Sequence, residues 1–275
     1  MACWPGEPSR TARQPGKPFP NRRESRMKFT MIGHSTVLIE AAGERILTDP
    51  YFGAWGNPAY ARKAAPAMSR EELKTVDLVL VSHNHFDHSD RAFFHLLADG
   101  TPVYAPRESA WVTHLKGAAE AVGLKKWETR QFGPLRITAV PAAHITFTRG
   151  YVIEEEGRTV YFAGDTYYGV FMNEIGAKFL IDVALMPVTT FRIPMTMSEK
   201  SAVSAVRALK PKVVIPIHLG IRPRSPLMRT KQTPEGFKQR VQAAGLDVEV
   251  KILREGQSWE LVSTPHELEL AAAAL

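Results

Sequence analysis

Three histidines and one aspartate with the spacing of metal ligands lie within six residues of this chain. They follow the apolar run 76–81, which predicts a short buried strand that ends where the polar residues begin. Side chains alternate faces in an extended segment, so His83 and His85 point the same way and can bind one cation. Asp87 and His88 follow where the backbone turns toward a helix, and there they can face a second cation.

A histidine that stands alone is usually a structural residue, and we favour that interpretation for His34, His95, His114 and His266 taken singly. The cluster is different, because neutral imidazoles and carboxylates crowded together would leave lone pairs facing one another in a partly dry site. A metal ion accepts all of those lone pairs and removes that cost. The pattern His-x-His-x-Asp-His therefore predicts a metal site.

Polar side chains also follow the ends of four other predicted strands. Each would be unremarkable alone, but strand ends on one edge of a layered α/β protein converge in space. Their common position predicts that they share one site with the histidine cluster. They are Asp49 after the strand 45–48, His144 after 135–140, Asp165 after 159–163 and His218 after 213–217.

The other segments alternate between strand and helix patterns. A chain of 275 residues fits one large α/β domain better than two small ones, and we place that domain at 27–263. Its first 22 residues predict a β-hairpin motif. The other predicted strands are 103–104, 126–132, 151–155, 183–186, 248–252 and 258–262. Five helices are predicted: 91–98, 109–122, 170–179, a helix that Ser198 caps and a helix that begins at Thr233.

Residues 51–70 predict a long loop that is rich in glycine, proline and aromatic residues. Aromatic side chains in a loop without a periodic pattern form either the wall of a pocket or a small satellite core. The sequence leaves both alternatives open for Tyr51, Phe52, Trp55 and Tyr60.

The histidine cluster 83–88, together with Asp49, His144, Asp165 and His218, resembles the metallo-β-lactamase superfamily, and the resemblance covers residues 28–262. The resemblance implies a four-layer αββα sandwich, in which two mixed sheets pack face to face with helices outside and a binuclear metal site at one edge. The segments 33–36, 83–88 and 164–187 most resemble the branch that includes N-acyl-phosphatidylethanolamine phospholipase D and ascorbate phosphate lactonase. That branch often has glycine where this chain has Tyr167, a bulkier residue that we expect to narrow the substrate pocket.

The resemblance also implies which side chains bind each ion. Asp49 would not bind an ion itself but would orient the histidine loop by hydrogen bonds, the support that metal ligands commonly require. The first ion would be bound by His83, His85 and His144, and the second by Asp87, His88 and His218, with Asp165 bridging them and Asp49 as the support.

Nitrogen and oxygen ligands without sulfur suit Zn²⁺, with Mn²⁺ or Fe²⁺ as alternatives. Two adjacent cations lower the pKa of a bridging water from about 15.7 toward 7, which gives a hydroxide nucleophile at neutral pH. We expect this hydroxide to cleave an ester, lactone or phosphodiester. Asp87 is the candidate proton shuttle, and His34 is either a donor to the pocket or a structural residue.

Basic residues in two predicted loops near the site indicate a small anionic substrate, such as a phosphodiester or phosphorylated lactone. A solvated cationic loop is the alternative. The candidates for substrate binding are Arg192 in the loop 189–197, Arg222 and Arg224 after His218, and Tyr167.

The net charge of +7 is concentrated in residues 1–26, where six Lys and Arg against two Glu give a net +4. This proline-rich segment predicts a disordered tail, and 264–275 predicts a frayed helical tail. The basic tail keeps a nucleic-acid-processing nuclease open as an alternative, although we expect no nucleic-acid partner. A metal-bound module without activity is another alternative, and a homo-oligomer is left open.

The single cysteine excludes an internal disulfide. No apolar run has the length of a membrane span, and the N-terminus lacks the apolar core of a secretion signal. Together these features indicate a soluble, cytoplasmic protein.

Overall fold

The computed structural model describes residues 26–53 and 59–262. Within these ranges the chain forms two seven-stranded mixed sheets. A separate two-stranded ribbon, β4 (Tyr60–Arg62) and β14 (Ile221–Pro223), joins the loop after the first hairpin to the segment that follows His218. The sequence did not predict this ribbon, because each of its strands has only three residues.

The first sheet runs in the order β16-β1-β2-β3-β5-β6-β7. Neighbours from β16 to β3 are antiparallel, and neighbours from β3 to β7 are parallel. The predicted opening hairpin is confirmed here. The strands are β1 (Arg26–Gly33), β2 (Thr36–Ala41), β3 (Glu44–Thr48), β5 (Leu78–Leu80), β6 (Val103–Pro106), β7 (Ala121–Leu124) and β16 (Ser258–Val262).

The second sheet repeats that plan in the order β15-β13-β12-β11-β10-β9-β8. Its strands from β8 to β11 are antiparallel, and those from β11 to β15 are parallel. The strands are β8 (Thr129–Phe132), β9 (Leu135–Pro141), β10 (Arg149–Glu155), β11 (Arg158–Phe162), β12 (Val183–Pro187), β13 (Val213–Ile217) and β15 (Glu249–Val250).

Six α-helices flank the sheets within the described residues. Ser198 and Thr233 cap the two longest, because their side chains accept hydrogen bonds from the backbone N–H groups of Ser201 and Gly236. The helices are α1 (Arg70–Leu73), α2 (Arg91–Phe94), α3 (Ala110–Leu115), α4 (Phe171–Lys178), α5 (Glu199–Leu209) and α6 (Pro234–Ala243).

Three apolar clusters separate the layers. The largest lies between the sheets and joins Phe29 of β1 to Leu185 of β12. A second packs the second sheet against α4, α5 and α6, and a third packs the first sheet against α1, α2 and α3. The predicted four-layer αββα sandwich of the α/β class is therefore confirmed.

The predicted helix over 109–122 is wrong beyond Leu115. The chain turns at Gly117, whose φ of +108° strongly favours glycine, and the next apolar residues form β7. They pair with β6 and extend the sheet, which a sequence pattern cannot distinguish from a helical face. Likewise α2 ends at Phe94, and the strand predicted over 126–132 begins at Thr129.

The two predicted tails lie outside the described residues, except for Arg26, which begins β1 and pairs with Val262. Trp55 is also outside them. In the part of the chain that the structure describes, no helix has both the length and the apolar character needed to cross a membrane.

Candidate active site

The first group of candidate ligands consists of His83, His85 and His144. The His85 Nδ1 atom lies 2.9 Å from His83 Nε2 and 3.3 Å from His144 Nε2. Burial lowers the pKa of all three imidazoles, that of His144 to about 4. The three rings are therefore neutral near pH 7, which is the protonation state that binds metal ions. We refer to them as the first ligand group.

The second ligand group consists of Asp87, His88 and His218, all of them buried. The Asp87 Oδ2 atom lies 3.8 Å from His88 Nε2 and 3.9 Å from His218 Nε2. His34 Nε2 lies closer, 3.2 Å from the same oxygen. The structure thus brings together the side chains that the sequence placed around a second cation, and it adds His34 to them.

Asp165 lies between the two groups. Its Oδ2 atom is 3.1 Å from His218 Nε2 and 3.4 Å from His88 Nε2, and 3.9 Å from His144 Nε2 in the first group. Burial alone would raise the pKa of Asp165, but His218 and His88 hold that pKa well below its usual value. The carboxylate is therefore ionised and is within reach of both groups.

One buried carboxylate, that of Asp49, supports a histidine in each group. It accepts hydrogen bonds from the Ser82 backbone N–H and hydroxyl and from His88 Nδ1, all at 2.6 Å. Because the Ser82 hydroxyl donates to Asp49, it can accept a hydrogen bond from His83 Nδ1 at 2.9 Å. Both imidazoles then carry a proton on Nδ1, and Nε2 faces the site. Burial alone would lower the pKa of His88, but Asp165, Asp87 and Asp49 raise it well above its usual value, so a metal ion would replace the proton on His88 Nε2.

His34 is oriented by two hydrogen bonds of its own. Its Nδ1 atom accepts a hydrogen bond from the Gly220 backbone N–H at 3.2 Å, so Nε2 carries the proton and donates it to Asp87. Burial, with a smaller contribution from His218, lowers the pKa of His34 to about 3, which keeps the ring neutral. Both ring nitrogens of His34 are thus hydrogen-bonded within the protein, and its role as a donor to the pocket stays a prediction.

Strained backbone conformations accompany these side chains. Asp49, His34 and His218 have φ of 33°, 63° and 62°, in the left-handed region that non-glycine residues seldom adopt. The backbone N–H of His218 donates to the His34 carbonyl at 3.0 Å, which links the ends of β1 and β13. Gly220 is required beside them, because a Cβ there would lie 2.8 Å from His34 Cβ.

The donor atoms fit metal ions. The buried His88 Nε2 and Asp165 Oδ1 atoms have no hydrogen-bond partner, a cost that a metal ion bound to them would remove. The nitrogens of the first group face one another at hydrogen-bonding distance, although neutral imidazoles offer too few protons to satisfy them all. Nitrogen and oxygen donors in such sets can bind Zn²⁺, Mn²⁺ or Fe²⁺.

Four aromatic rings form a continuous surface beside the second group, which we call the aromatic wall: Tyr51, Tyr60, Phe86 and Phe191. The Phe86 ring centroid lies 6.2 Å from that of Tyr51 and 6.1 Å from that of Tyr60, which is 5.2 Å from Phe191. The wall begins against His34 and ends against His218.

The sequence left two alternatives for the aromatic residues of the loop 51–70, a pocket wall or a satellite core, and each alternative holds for some of these residues. Tyr51 and Tyr60 line the site, whereas Phe52 packs on Phe93 in the core, with ring centroids 5.1 Å apart.

The residues predicted to bind substrate differ in their distance from the ligand groups and in their exposure. Tyr167 lies beside the first group, with its ring centroid 6.0 Å from that of His144, and its hydroxyl donates to the Pro194 carbonyl. Arg192 and Arg224 are exposed.

The register of the ribbon pairs Arg222 with Ala61 and pairs Tyr60 with Pro223. Because Tyr60 faces the site, Arg222 lies on the opposite face of the ribbon. Its role in substrate binding stays a prediction that this register does not favour.

Sequence reasoning missed a polar anchor behind the histidine loop. Lys116 Nζ donates to the Asn84 carbonyl at 2.8 Å and also contacts the Ser89 hydroxyl. The Asn84 side chain is itself bonded to Thr113 and to the Ser109 carbonyl. Burial lowers the pKa of Lys116 to about 8. No local pattern marks a lysine at a helix end as a loop anchor, because its partners come from distant residues.

Comparison with known proteins agrees with this geometry. Residues 44–219 match the family model described as a β-lactamase superfamily domain. A UPF0173 metal-dependent hydrolase from Methanopyrus kandleri is 35% identical over 246 residues, which cover 85% of this chain and 100% of that protein.

Solved structures share the fold. The metallo hydrolase Igni18 from Ignicoccus hospitalis is 27% identical, with a TM-score of 0.72 over 87% of this chain and 100% of that one. An isothiocyanate hydrolase from gut bacteria of Delia radicum has a TM-score of 0.73 at 20% identity, over 86% of this chain and 100% of that one. The chain therefore belongs to the β-lactamase superfamily and, within it, to the UPF0173 family of metal-dependent hydrolases.

Proposed function

We propose that this protein is a binuclear hydrolase, in which one divalent cation binds to each ligand group and Asp165 is shared between them. The observation that carries the proposal is the position of Asp165 Oδ2 within 3.9 Å of histidine nitrogens from both groups. A closed structural site needs only four ligands for one ion, whereas the seven candidates here suit two ions with open positions. We favour Zn²⁺, with Mn²⁺ or Fe²⁺ as alternatives.

Bound divalent cations would supply an activated water and polarise the carbonyl or phosphoryl group to be cleaved. The protein's own part is orientation and proton handling. Asp49 keeps the Nδ1 protons of His83 and His88 directed away from the site. Asp87 is ionised because His88 and His34 hold its pKa below its usual value despite burial. It can accept a proton from the attacking water and, as a weak base, pass it on to the leaving group.

The bond to be cleaved is an ester, lactone or phosphodiester in this proposal. The resemblance to the branch of N-acyl-phosphatidylethanolamine phospholipase D and ascorbate phosphate lactonase stays a prediction. So does an anionic substrate, for which Arg192, Arg222 and Arg224 are the candidates. If it is right, replacing Arg222 and Arg224 by alanine raises KM for an anionic substrate, and an unchanged KM removes the idea.

The experiment combines metal analysis with a hydrolase panel of esters, lactones, phosphodiesters and RNA. The wild type should contain two metal ions per chain and hydrolyse at least one class, and His83→Ala should lose both properties. His95→Ala is the matched control, because His95 is an exposed histidine outside both groups. Two bound ions with no turnover of any class would contradict the enzyme proposal and leave a metal-bound module.

A further inference from the structure

Aromatic rings border the second ligand group, and Phe86 is the most exposed of them. Phe86 lies in the histidine loop itself, between two candidate ligands, and 41% of its surface is exposed. Exposing a phenyl ring has a cost in water, and an apolar patch bordered by polar residues commonly marks a ligand site. Here the polar border is the second ligand group, which His34 and His218 connect to the two ends of the aromatic wall.

The wall is held in place by the ribbon. Tyr60 lies on β4, and its partner on β14 is Pro223, so the ring is fixed by two strands rather than by a free loop. Arg62, on the same face, donates to the Tyr51 carbonyl at 2.8 Å and places its guanidinium 4.5 Å from the centre of the Tyr51 ring. A surface fixed in this way binds a flat ligand without having to order itself first.

The wall presents rings and phenol hydroxyls rather than cations. The ribbon turns Tyr60 toward the site and Arg222 away from it. Arg62, the cation on the same face as Tyr60, donates to the Tyr51 and Ala64 carbonyls and lies over the Tyr51 ring, so its guanidinium is already engaged by the protein.

We propose that the aromatic wall binds an uncharged aromatic ring of the substrate, next to the bond that is cleaved. The inference rests on the proposed hydrolase function and names the substrate class of the same site: neutral esters or lactones of aromatic carboxylic acids. The substrate ring would pack against Phe86 and Tyr60 in an offset or edge-on contact, the arrangement that aromatic rings prefer.

The kinetic test uses three ethyl esters with one leaving group: ethyl benzoate, ethyl acetate and the anionic monoethyl succinate. For the wild type, kcat/KM should be highest with the benzoate. Tyr60→Ala should lower the ratio of benzoate to acetate by about tenfold, which is the scale of one lost aromatic contact plus its burial. Trp111→Ala, which removes an exposed ring of α3 outside the wall, should leave the ratio unchanged.

Phe86→Ala should have the same effect, but it changes the histidine loop, so its metal content is measured in parallel. Equal kcat/KM for benzoate and acetate, or a preference for succinate that Tyr60→Ala does not alter, would overturn the proposal.

Binding of a neutral, slowly hydrolysed probe separates this inference from the hydrolase proposal. Benzamide should bind the metal-loaded wild type at least about tenfold more tightly than acetamide by calorimetry, and Tyr60→Ala should abolish that difference. Benzamide binding that depends on the wall supports the inference even if no ester is hydrolysed. Turnover of esters without any advantage for benzamide or benzoate overturns the inference and leaves the hydrolase proposal standing.

Discussion

The two ligand groups differ in how firmly the protein holds them. In the second group, the Nδ1 of His88 is bonded to Asp49, Asp87 is bonded to His34, and the His218 backbone is bonded to the His34 carbonyl. In the first group His83 is supported through Ser82, whereas the buried His144 Nδ1 has no hydrogen-bond partner.

This difference indicates that the second group is arranged before any metal ion binds. Supporting hydrogen bonds orient ligands and raise metal affinity, so the second group should bind its ion more tightly. The first group contains the half-buried His85 and should exchange its ion more readily. The following changes either remove this difference or make it larger.

The largest effect should follow from Asp165→Ala, because Asp165 contacts both groups. We expect both metal affinities to fall, and activity to drop by more than the roughly 100-fold loss that removal of a supporting partner gives. Metal-to-protein ratios after dialysis and kcat/KM measure this. Asp99→Ala, at an exposed aspartate, is the control. If only one ion is lost, Asp165 belongs to a single group.

Asp49→Asn should weaken both groups by a smaller amount. The amide cannot accept all three hydrogen bonds in the same way, so the bond from His88 Nδ1 is weakened, and Ser82, which accepts from His83 Nδ1, is held less firmly. Loss of such a partner lowers metal affinity by about 10-fold to 100-fold. Competition with a chelator measures both affinities. A loss confined to the second ion would show that the Ser82 relay to His83 contributes nothing.

His34→Phe should weaken only the second group, by about tenfold, the lower end of the same range. Phenylalanine keeps the ring but removes the hydrogen bond to Asp87 and the acceptor for Gly220. Titration with Co²⁺, followed by its visible absorption, resolves the two binding steps without relying on activity. The binding step whose Co²⁺ affinity falls identifies the weakened group. An equal loss of affinity in both steps would contradict the division into two groups.

The candidate ligands could be predicted because strand ends are visible in sequence. Each of His144, Asp165 and His218 directly follows an apolar run, and such runs end at one edge of the sandwich. The positions of most strands and helices along the chain followed from periodicity and capping residues.

The contacts that decide orientation could not be predicted in this way. The anchor from Lys116 to Asn84 and the hydrogen bond from His34 to Asp87 join residues that are distant in sequence. The face on which Arg222 lies depends on pairing between two three-residue strands, which carry too little pattern to be recognised. Single-sequence reasoning therefore groups the candidate ligands and anticipates support from Asp49, but it misses the other contacts that orient them.

The smallest effect on metal binding should come from Asp90→Asn, which tests whether anchoring the loop is separate from binding an ion. Asp90 accepts hydrogen bonds from Arg70 and from the backbone N–H groups of Phe52 and Phe93. Asparagine is uncharged, so the variant loses the charge-assisted hydrogen bonds to Asp90, and the free energy of unfolding should fall by about 1–3 kcal/mol at pH 7. Metal affinity should change less than in the other variants.

The pH dependence of this loss follows from the pKa of Asp90. Burial alone would raise that pKa, but the hydrogen bonds from Arg70, Phe93 and Phe52 hold it below its usual value. A carboxyl whose folded pKa lies below its unfolded pKa of about 3.9 stabilises the fold above that pH. This stability is lost as pH falls through the folded value. Urea unfolding of metal-free protein should therefore show wild type and Asp90→Asn converging below about pH 4, and a constant difference down to pH 3 would assign the loss to packing instead.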